Sequence, residues 1–317
     1  MAKEKFCIYE AVTDKIIAQL EAGVIPWRKP WIYRGKGNQK RMYEGAYNRV
    51  SGVSYSPLNQ MLLSNIGEYA SYKQWIEAGG KPQKNKSEIV VFWKIYPKTV
   101  KDEEGNEKNI KIPLLRYINV WHVSNVEGVE PKPIPDEMEI RKKLECQLKP
   151  CEQIEEILSS YYKRENISVF DEYGNRAYYD PGLDEIHVPI MNQYKIVEKY
   201  YSTKSHETIH STGHKTRLDR FKSTGVKASF GSESYSEEEL VAEMGACFLL
   251  AHCGIDTEVI YQNSAAYLNG WATALKAYRR NGDSKKLIVN ASKNAKKAIE
   301  YILYGKETLT DETEIKN

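Results

Sequence analysis

The sequence predicts an α+β chain of two domains: an N-terminal α+β domain, and a C-terminal domain that is mainly helical with a small sheet. Three observations predict it. Apolar residues recur at helical spacing in some segments and alternate as in half-buried strands in others. A stretch with three prolines, Glu130-Pro131-Lys132-Pro133-Ile134-Pro135-Asp136, divides the chain as a stiff linker. Charge is unevenly spread, since residues 1–129 carry 20 Lys and Arg against 13 Asp and Glu, a balance of +7, while the remainder stands at −4. The expected limits are 1–129 for the first domain, 130–136 for the linker, 137–305 for the second domain and 306–317 for a polar tail. With 317 residues, each domain has enough chain to bury a core.

In the first domain Ile8, Val12, Ile16, Ile17 and Leu20 mark a helix stopped at Gly23. The segment from Pro26 to Lys36, continued by Gln39-Lys40-Arg41, is too rich in Pro, Gly and cations for regular structure. It sets tryptophans beside cations, which suits single-stranded nucleic acid: bases stack on rings and cations track phosphates. Trp27, Arg28, Lys29, Trp31, Arg34, Lys36, Lys40 and Arg41 are the expected contacts. Residues 57–65 and 71–78 read as short helices, the second capped by Ser71 and ended by Gly79-Gly80. Strands at Ile89–Tyr96 and Leu114–Val123 pair through a charged hairpin near Gly105-Asn106.

The second domain is expected to begin with helices near 136–147 and 151–163, followed by strands at Ile167–Phe170 and Arg176–Tyr179. Leu183–Pro189 alternates and ends at a proline, which marks it as an edge strand able to hold an extended peptide. Next comes His206-Glu207-Thr208-Ile209-His210. H-E-x-x-H on a helix puts two imidazoles on one face within reach of one metal ion, with a carboxylate beside them to activate water. The pattern points to a zinc hydrolase with Glu207 as general base. A catalytic zinc needs three protein ligands and one open position. His214 does not supply the third, because a straight helix separates it from His206 by about 12 Å. A longer histidine pattern would need its last member where the chain has Thr216. Gly213 reads as the helix stop, with His214 just beyond.

Downstream, Ser236 and Glu239 form a capping-box pattern, and Leu240, Met244, Cys247 and Phe248 repeat at helical spacing. Glu239 and Glu243 are i, i+4 neighbours on this second helix, so one can bind the metal while the other hydrogen-bonds a histidine ring. Glu239 is taken as the ligand and Glu243 as the residue behind it, and the pair can also be read the other way round. Glu237 and Glu238 read as an acidic first turn that complements the helix dipole. Helices at Ala265–Tyr278 and Lys286–Leu303 complete the domain.

Composition narrows the setting. Five scattered cysteines without a C-x-x-C pair argue for reduced thiols, and no run of 18 apolar residues offers a membrane span. The expected location is the cytoplasm. Five of the six tryptophans lie in the basic N-terminal part, which again favours nucleic acid as partner.

The residues assembled here resemble the ArdC family of antirestriction proteins from conjugative and other mobile elements, over nearly the whole chain. In the first half the resemblance rests on Ile8-Tyr9-Glu10, Leu20–Trp31, Tyr72–Trp75 with Gly79-Gly80, and Val91–Lys94. In the second half it rests on Tyr200–Thr203, His206–His214, Glu238–Glu243 and Ala265–Leu268. The resemblance implies a single-stranded-DNA-binding domain followed by a zincin-like metallopeptidase domain, and protection of incoming mobile DNA from restriction. The expected cofactor is Zn2+ and the expected partners are single-stranded DNA and a protein or peptide substrate. Two alternatives stand beside it. One is a DNA-protecting module whose metal site is structural or inactive, and the other a metallopeptidase whose basic domain docks protein.

Overall fold

The computed structural model describes residues 6–28, 45–101, 107–132, 150–221, 237–255, 265–280 and 286–306. These form an α+β fold. Helix α1 (Ile8–Glu21) buries Val12, Ile16, Ile17 and Leu20, the stripe its spacing predicts, and ends where Gly23 takes a φ of 83°. Helix α2 (Pro57–Leu62) starts at Ser56, whose side chain accepts from the Asn59 N–H. It is shorter than expected because Leu63 turns to extended backbone. Helix α3 (Tyr72–Glu77) has a full capping box between Ser71 and Gln74.

The first sheet contains β1 (Ala46–Asn48), β2 (Gly67–Ser71), β4 (Glu88–Lys101) and β5 (Glu107–His122), in the order β1-β2-β5-β4. A two-residue pair, β3 (Lys81–Pro82) with β6 (Val126–Glu127), lies beside it. Strands β4 and β5 pair antiparallel from Glu88↔Val120 to Lys101↔Glu107, well beyond the segments read from alternation alone. Pro97 and Pro113 do not stop them. Strand β4 is an edge, and β5 meets β2 only from Val120 to His122, so each proline has one flank without a neighbouring strand, where a missing N–H costs no ladder bond. The turn near Gly105-Asn106 lies outside the described residues, as does the helix expected near 136–147.

Helix α4 (Pro150–Glu165) leads to the second sheet, formed by β7 (Ser168–Glu172), β8 (Tyr178–Asp180) and β9 (Glu185–Pro189) in the order β7-β9-β8. Here the structure corrects an expectation: β9 is the central strand and β8 is an edge. Pro189 fits a central strand because it is the last residue of β9, where a missing N–H matters least. Helix α5 (Val197–Ser211) crosses this sheet, and α6 (Glu237–His252), α7 (Ala265–Arg280) and α8 (Leu287–Tyr304) complete the chain.

One buried cluster runs through both halves. It joins Val12, Ile16, Leu20 and Met61 from the first half to Ile209, Phe248, Trp271, Ile288 and Ile299 from the second. The segments on either side of residues 130–136 therefore share apolar packing. Trp27 belongs to this cluster, 1% exposed and edge-on to Trp271 at 5.9 Å between ring centroids.

Candidate metal centre

Helix α5 carries the H-E-x-x-H residues, and it is fixed from several sides by polar groups on its buried face. The Tyr161 hydroxyl of α4 lies 3.0 Å from Ser211 Oγ, and the Tyr162 hydroxyl lies 2.5 Å from Thr208 Oγ1. Tyr200 Oη donates to Asp171 on β7 at 2.7 Å, and the buried Lys204 Nζ reaches the same carboxylate at 3.3 Å. Just past the helix, Arg217 donates to the Ser211 carbonyl at 2.7 Å and forms an ion pair with Asp184, which clamps the β8–β9 turn to the helix end. Gly213 allows this close packing. The helix ends at Ser211, just before the glycine that the sequence marks as its stop, and a Cβ on Gly213 would meet Phe221 at 2.7 Å, so the residue is small for space.

Helix α6 packs tightly on α5 at Gly245, where an added Cβ would come within 2.8 Å of Ile209. This approach brings the first turn of α6 to the metal-motif face. His206 Nε2 and His210 Nε2 lie 3.1 Å apart, His206 Nε2 is 3.3 Å from Glu239 Oε2, and His210 Nε2 is 3.5 Å from Glu239 Oε1. Four-coordinate zinc with ligand bonds of about 2.1 Å sets its donor atoms about 3.4 Å apart. The three side chains, whose donor atoms all lie within 4.8 Å of one another, therefore fit a divalent metal ion without rearrangement. Glu239 is the carboxylate that joins the histidines. Its oxygens face the imidazole nitrogens, and Ser236, its partner in the capping-box pattern, lies outside the described residues.

Electrostatics reinforce the arrangement. Burial would keep the imidazoles neutral, but the carboxylates of Glu238 and Glu239 beside the ring outweigh it at His210 and push its pKa up to about 10. His206 is raised as well: burial opposes protonation, and the Glu239 hydrogen bond overcomes it. Burial also acts against the charged form of Glu239, yet the two histidines hold its carboxyl well below the usual range. Glu207, 8% exposed, shifts the opposite way, raised chiefly by burial with the neighbouring histidines opposing. The Tyr179 backbone on the edge strand β8 also opposes the rise.

Two functional residues escaped sequence reading. Glu238, 2% exposed, sets Oε1 3.5 Å from His210 Nδ1, the ring nitrogen turned away from the metal face. Arg220 holds that carboxylate with Nε to Oε2 at 3.1 Å and a second nitrogen to Oε1 at 2.6 Å, and also donates to Thr212 Oγ1 and the Ile209 carbonyl. A carboxylate on the outer nitrogen of a ligating histidine fixes its tautomer and ring plane. Glu238 therefore does at His210 what Glu243 was expected to do, and the dipole reading of Glu238 is corrected. Glu243 reaches His206 through its charge. His214 stands apart from the cluster, its Nδ1 2.9 Å from Thr216 Oγ1.

The expected nucleic-acid contacts fare differently. The buried Trp27 ring cannot stack on a base, which corrects that assignment: it fills core space against Trp271. Lys29, Trp31, Arg34, Lys36, Lys40 and Arg41 lie outside the described residues, and of Arg28 only the backbone is described. Trp75 is also buried, its indole N–H bonded to the Trp121 carbonyl at 3.0 Å. Tryptophan enrichment in this half thus serves packing in part. Among the described residues no helix is long and apolar enough to cross a membrane.

Comparison with known proteins fits this geometry. Residues 6–121 match the family model for the N-terminal domain of the anti-restriction factor ArdC, and residues 155–293 match that for a zincin-like metallopeptidase. The chain is 28% identical over 311 residues to an Escherichia coli DNA primase TraC, covering 90% of this chain but 27% of that protein. It thus spans about a quarter of that relative's length. Among solved structures, metal-free antirestriction ArdC protein from the R388 plasmid aligns with a TM-score of 0.63 at 29% identity, covering 96% of this chain and 100% of that one. The Mn(II)-bound structure of the same protein aligns at 0.61 with 28% identity and the same coverage.

Proposed function

For a chain that belongs to the ArdC family of antirestriction proteins, we propose a function that joins single-stranded-DNA binding to peptide-bond cleavage at a zinc site held by His206, His210 and Glu239. The observation that carries this reading is the spacing of the three donor atoms, with the buried Glu207 on the same helix turn. Bound there, zinc would supply a Lewis acid that makes water nucleophilic near neutral pH. Glu207 would take the proton from that water, and its raised pKa moves it toward the range in which a carboxylate exchanges protons at neutral pH. Glu238 and Arg220 would keep the His210 ring in the orientation that leaves Nε2 for the metal. An extended substrate would lie along the outer edge of β8, whose Tyr179 backbone acts on the Glu207 carboxyl. The primase activity named for the longer relative is not carried over, because most of that protein has no counterpart in this chain.

Glu207→Gln tests the reading. The variant should keep its zinc while cleavage of a casein probe falls by about 10²- to 10⁴-fold. Undiminished cleavage would overturn the assignment of Glu207. In the same variant, protection of an incoming plasmid from a restricting host should fall. Retained protection would favour the DNA-protecting module with a metal site that does not turn over.

A further inference from the structure

The β4–β5 ribbon carries a surface that the metal site does not use. Residues paired directly across an antiparallel ladder share a face, so Phe92↔Arg116, Lys94↔Leu114, Tyr96↔Ile112 and Lys98↔Ile110 stand on one side. Along β4 this side reads Phe92, Lys94, Tyr96, Lys98, an alternation of ring and cation with a step of about 7 Å. Lys94, Lys98 and Arg116 are exposed, while Phe92 and Tyr96 are half-buried. Tyr96 is set between cations. Arg116 donates to its hydroxyl at 3.2 and 2.9 Å with the guanidinium 5.4 Å from the ring centre, and Lys94 Nζ lies 5.4 Å from the same ring.

Among the described residues, no carboxylate pairs with this charge. Residues 89–99 and 109–119 hold Lys94, Lys98, Lys111 and Arg116 and no Asp or Glu, and among the described residues no ion pair joins these four to a carboxylate. The one acidic residue at the base of the ribbon, Glu88, is bound to Lys15, Ser64 and Tyr69. A cationic face calls for a polyanion. Rings alternating with cations at strand spacing call for one whose flat groups are accessible, and a duplex keeps its bases stacked inside.

We infer that this face of the β4–β5 ribbon binds single-stranded nucleic acid, with bases against Phe92 and Tyr96 and phosphates on Lys94, Lys98 and Arg116. The inference rests on the single-strand-binding part of the proposed function and gives it a location distinct from the loop at 26–41. Cations on β4 and β5 flank the rings, so a strand laid along the ribbon meets both kinds of contact at each step.

The test is salt-dependent anisotropy of a labelled oligothymidylate with the full chain. Lys94→Ala, Lys98→Ala and Arg116→Ala combined should lower the slope of log affinity against log salt by about two, since each phosphate contact on a single strand contributes about 0.7. A control removing equal charge elsewhere, Lys73→Ala, Lys163→Ala and Lys215→Ala, should leave the slope near that of the parent chain. Tyr96→Ala should weaken binding about tenfold at fixed salt, with an unchanged melting temperature showing that it folds. If the parent chain shows no salt-dependent affinity, single-strand binding itself fails. If the parent binds and both ribbon variants bind equally well, the ribbon assignment fails while the proposed function stands. A duplex that competes as well as the oligothymidylate would make the ribbon a general polyanion surface and overturn the role of the rings.

Discussion

Replacing Glu238 by Gln should loosen metal binding and destabilise the metal-free protein at once. The carboxylate faces three donors from inside the protein: Arg220 reaches both its oxygens, and His210 Nδ1 lies 3.5 Å from Oε1. A glutamine has only one acceptor oxygen. Whichever way its amide turns, an NH2 group faces an Arg220 donor, and the guanidinium, 5% exposed, loses its countercharge. Removing one partner of a buried ion pair costs about 3–5 kcal/mol, and the remaining bonds of Arg220 to Thr212 and Ile209 keep the expected loss near the lower figure. His210 Nδ1 would face at most a neutral amide oxygen in place of a carboxylate, and weakening the group that orients a ligating histidine lowers metal affinity by about 10- to 100-fold. Urea unfolding of the metal-free chain measures the first effect and zinc titration calorimetry the second. Adding Arg220→Met separates them, because the double variant no longer buries an unpaired cation. It should regain most of the stability while zinc affinity stays low. Wild-type zinc affinity in Glu238→Gln would refute the positioning role.

Three further outcomes follow from the geometry. Because the folded metal-free protein raises the His210 pKa from 6.5 to about 10, the stabilisation it brings is complete below pH 6.5 and is lost as pH rises through about 10. The metal-free melting temperature should therefore fall across that window, while apparent zinc affinity rises as protons leave the site; a flat melting temperature would contradict the ion pairing. Gly245→Ala places a methyl group within 2.8 Å of Ile209 and should cost about 1–3 kcal/mol while weakening zinc binding, since α6 must move from α5; thermal denaturation with and without zinc reads both. Trp27→Ala should cost about 3–5 kcal/mol, whereas Trp27→Phe, which removes an indole N–H that has no hydrogen-bond partner among the described residues, should leave oligonucleotide affinity unchanged. A selective loss of affinity in Trp27→Phe would restore the ring to the DNA surface.

What sequence reasoning captured was local. H-E-x-x-H spacing, the stripe of α1, the cap at Ser71 and the start of α6 each depend on residues within a turn or two. The distant carboxylate Glu239 was legible because the metal demands a third ligand. Glu238 was not, since three glutamates opening a helix satisfy its dipole equally well, and the partner that singles out Glu238, Arg220, lies 18 residues earlier in the chain. One local signal was available: adjacent helical residues point about 100° apart, so with Glu239 on the histidines Glu238 had to enter the wall beside them. Trp27 was misread for a similar reason. Its loop looks solvent-exposed in composition, and only folding brings Trp271 to it. The central place of β9 likewise depends on pairing with both β7 and β8, which alternation within one strand does not reveal.

Anomalous diffraction from crystals of the zinc-loaded chain tests the central claim most directly. The account predicts one peak within about 2.0–2.2 Å of His206 Nε2, His210 Nε2 and a Glu239 oxygen, with Glu207 outside the ligand set. A peak bound by Glu243 in place of Glu239, or none between the two histidines, would contradict it.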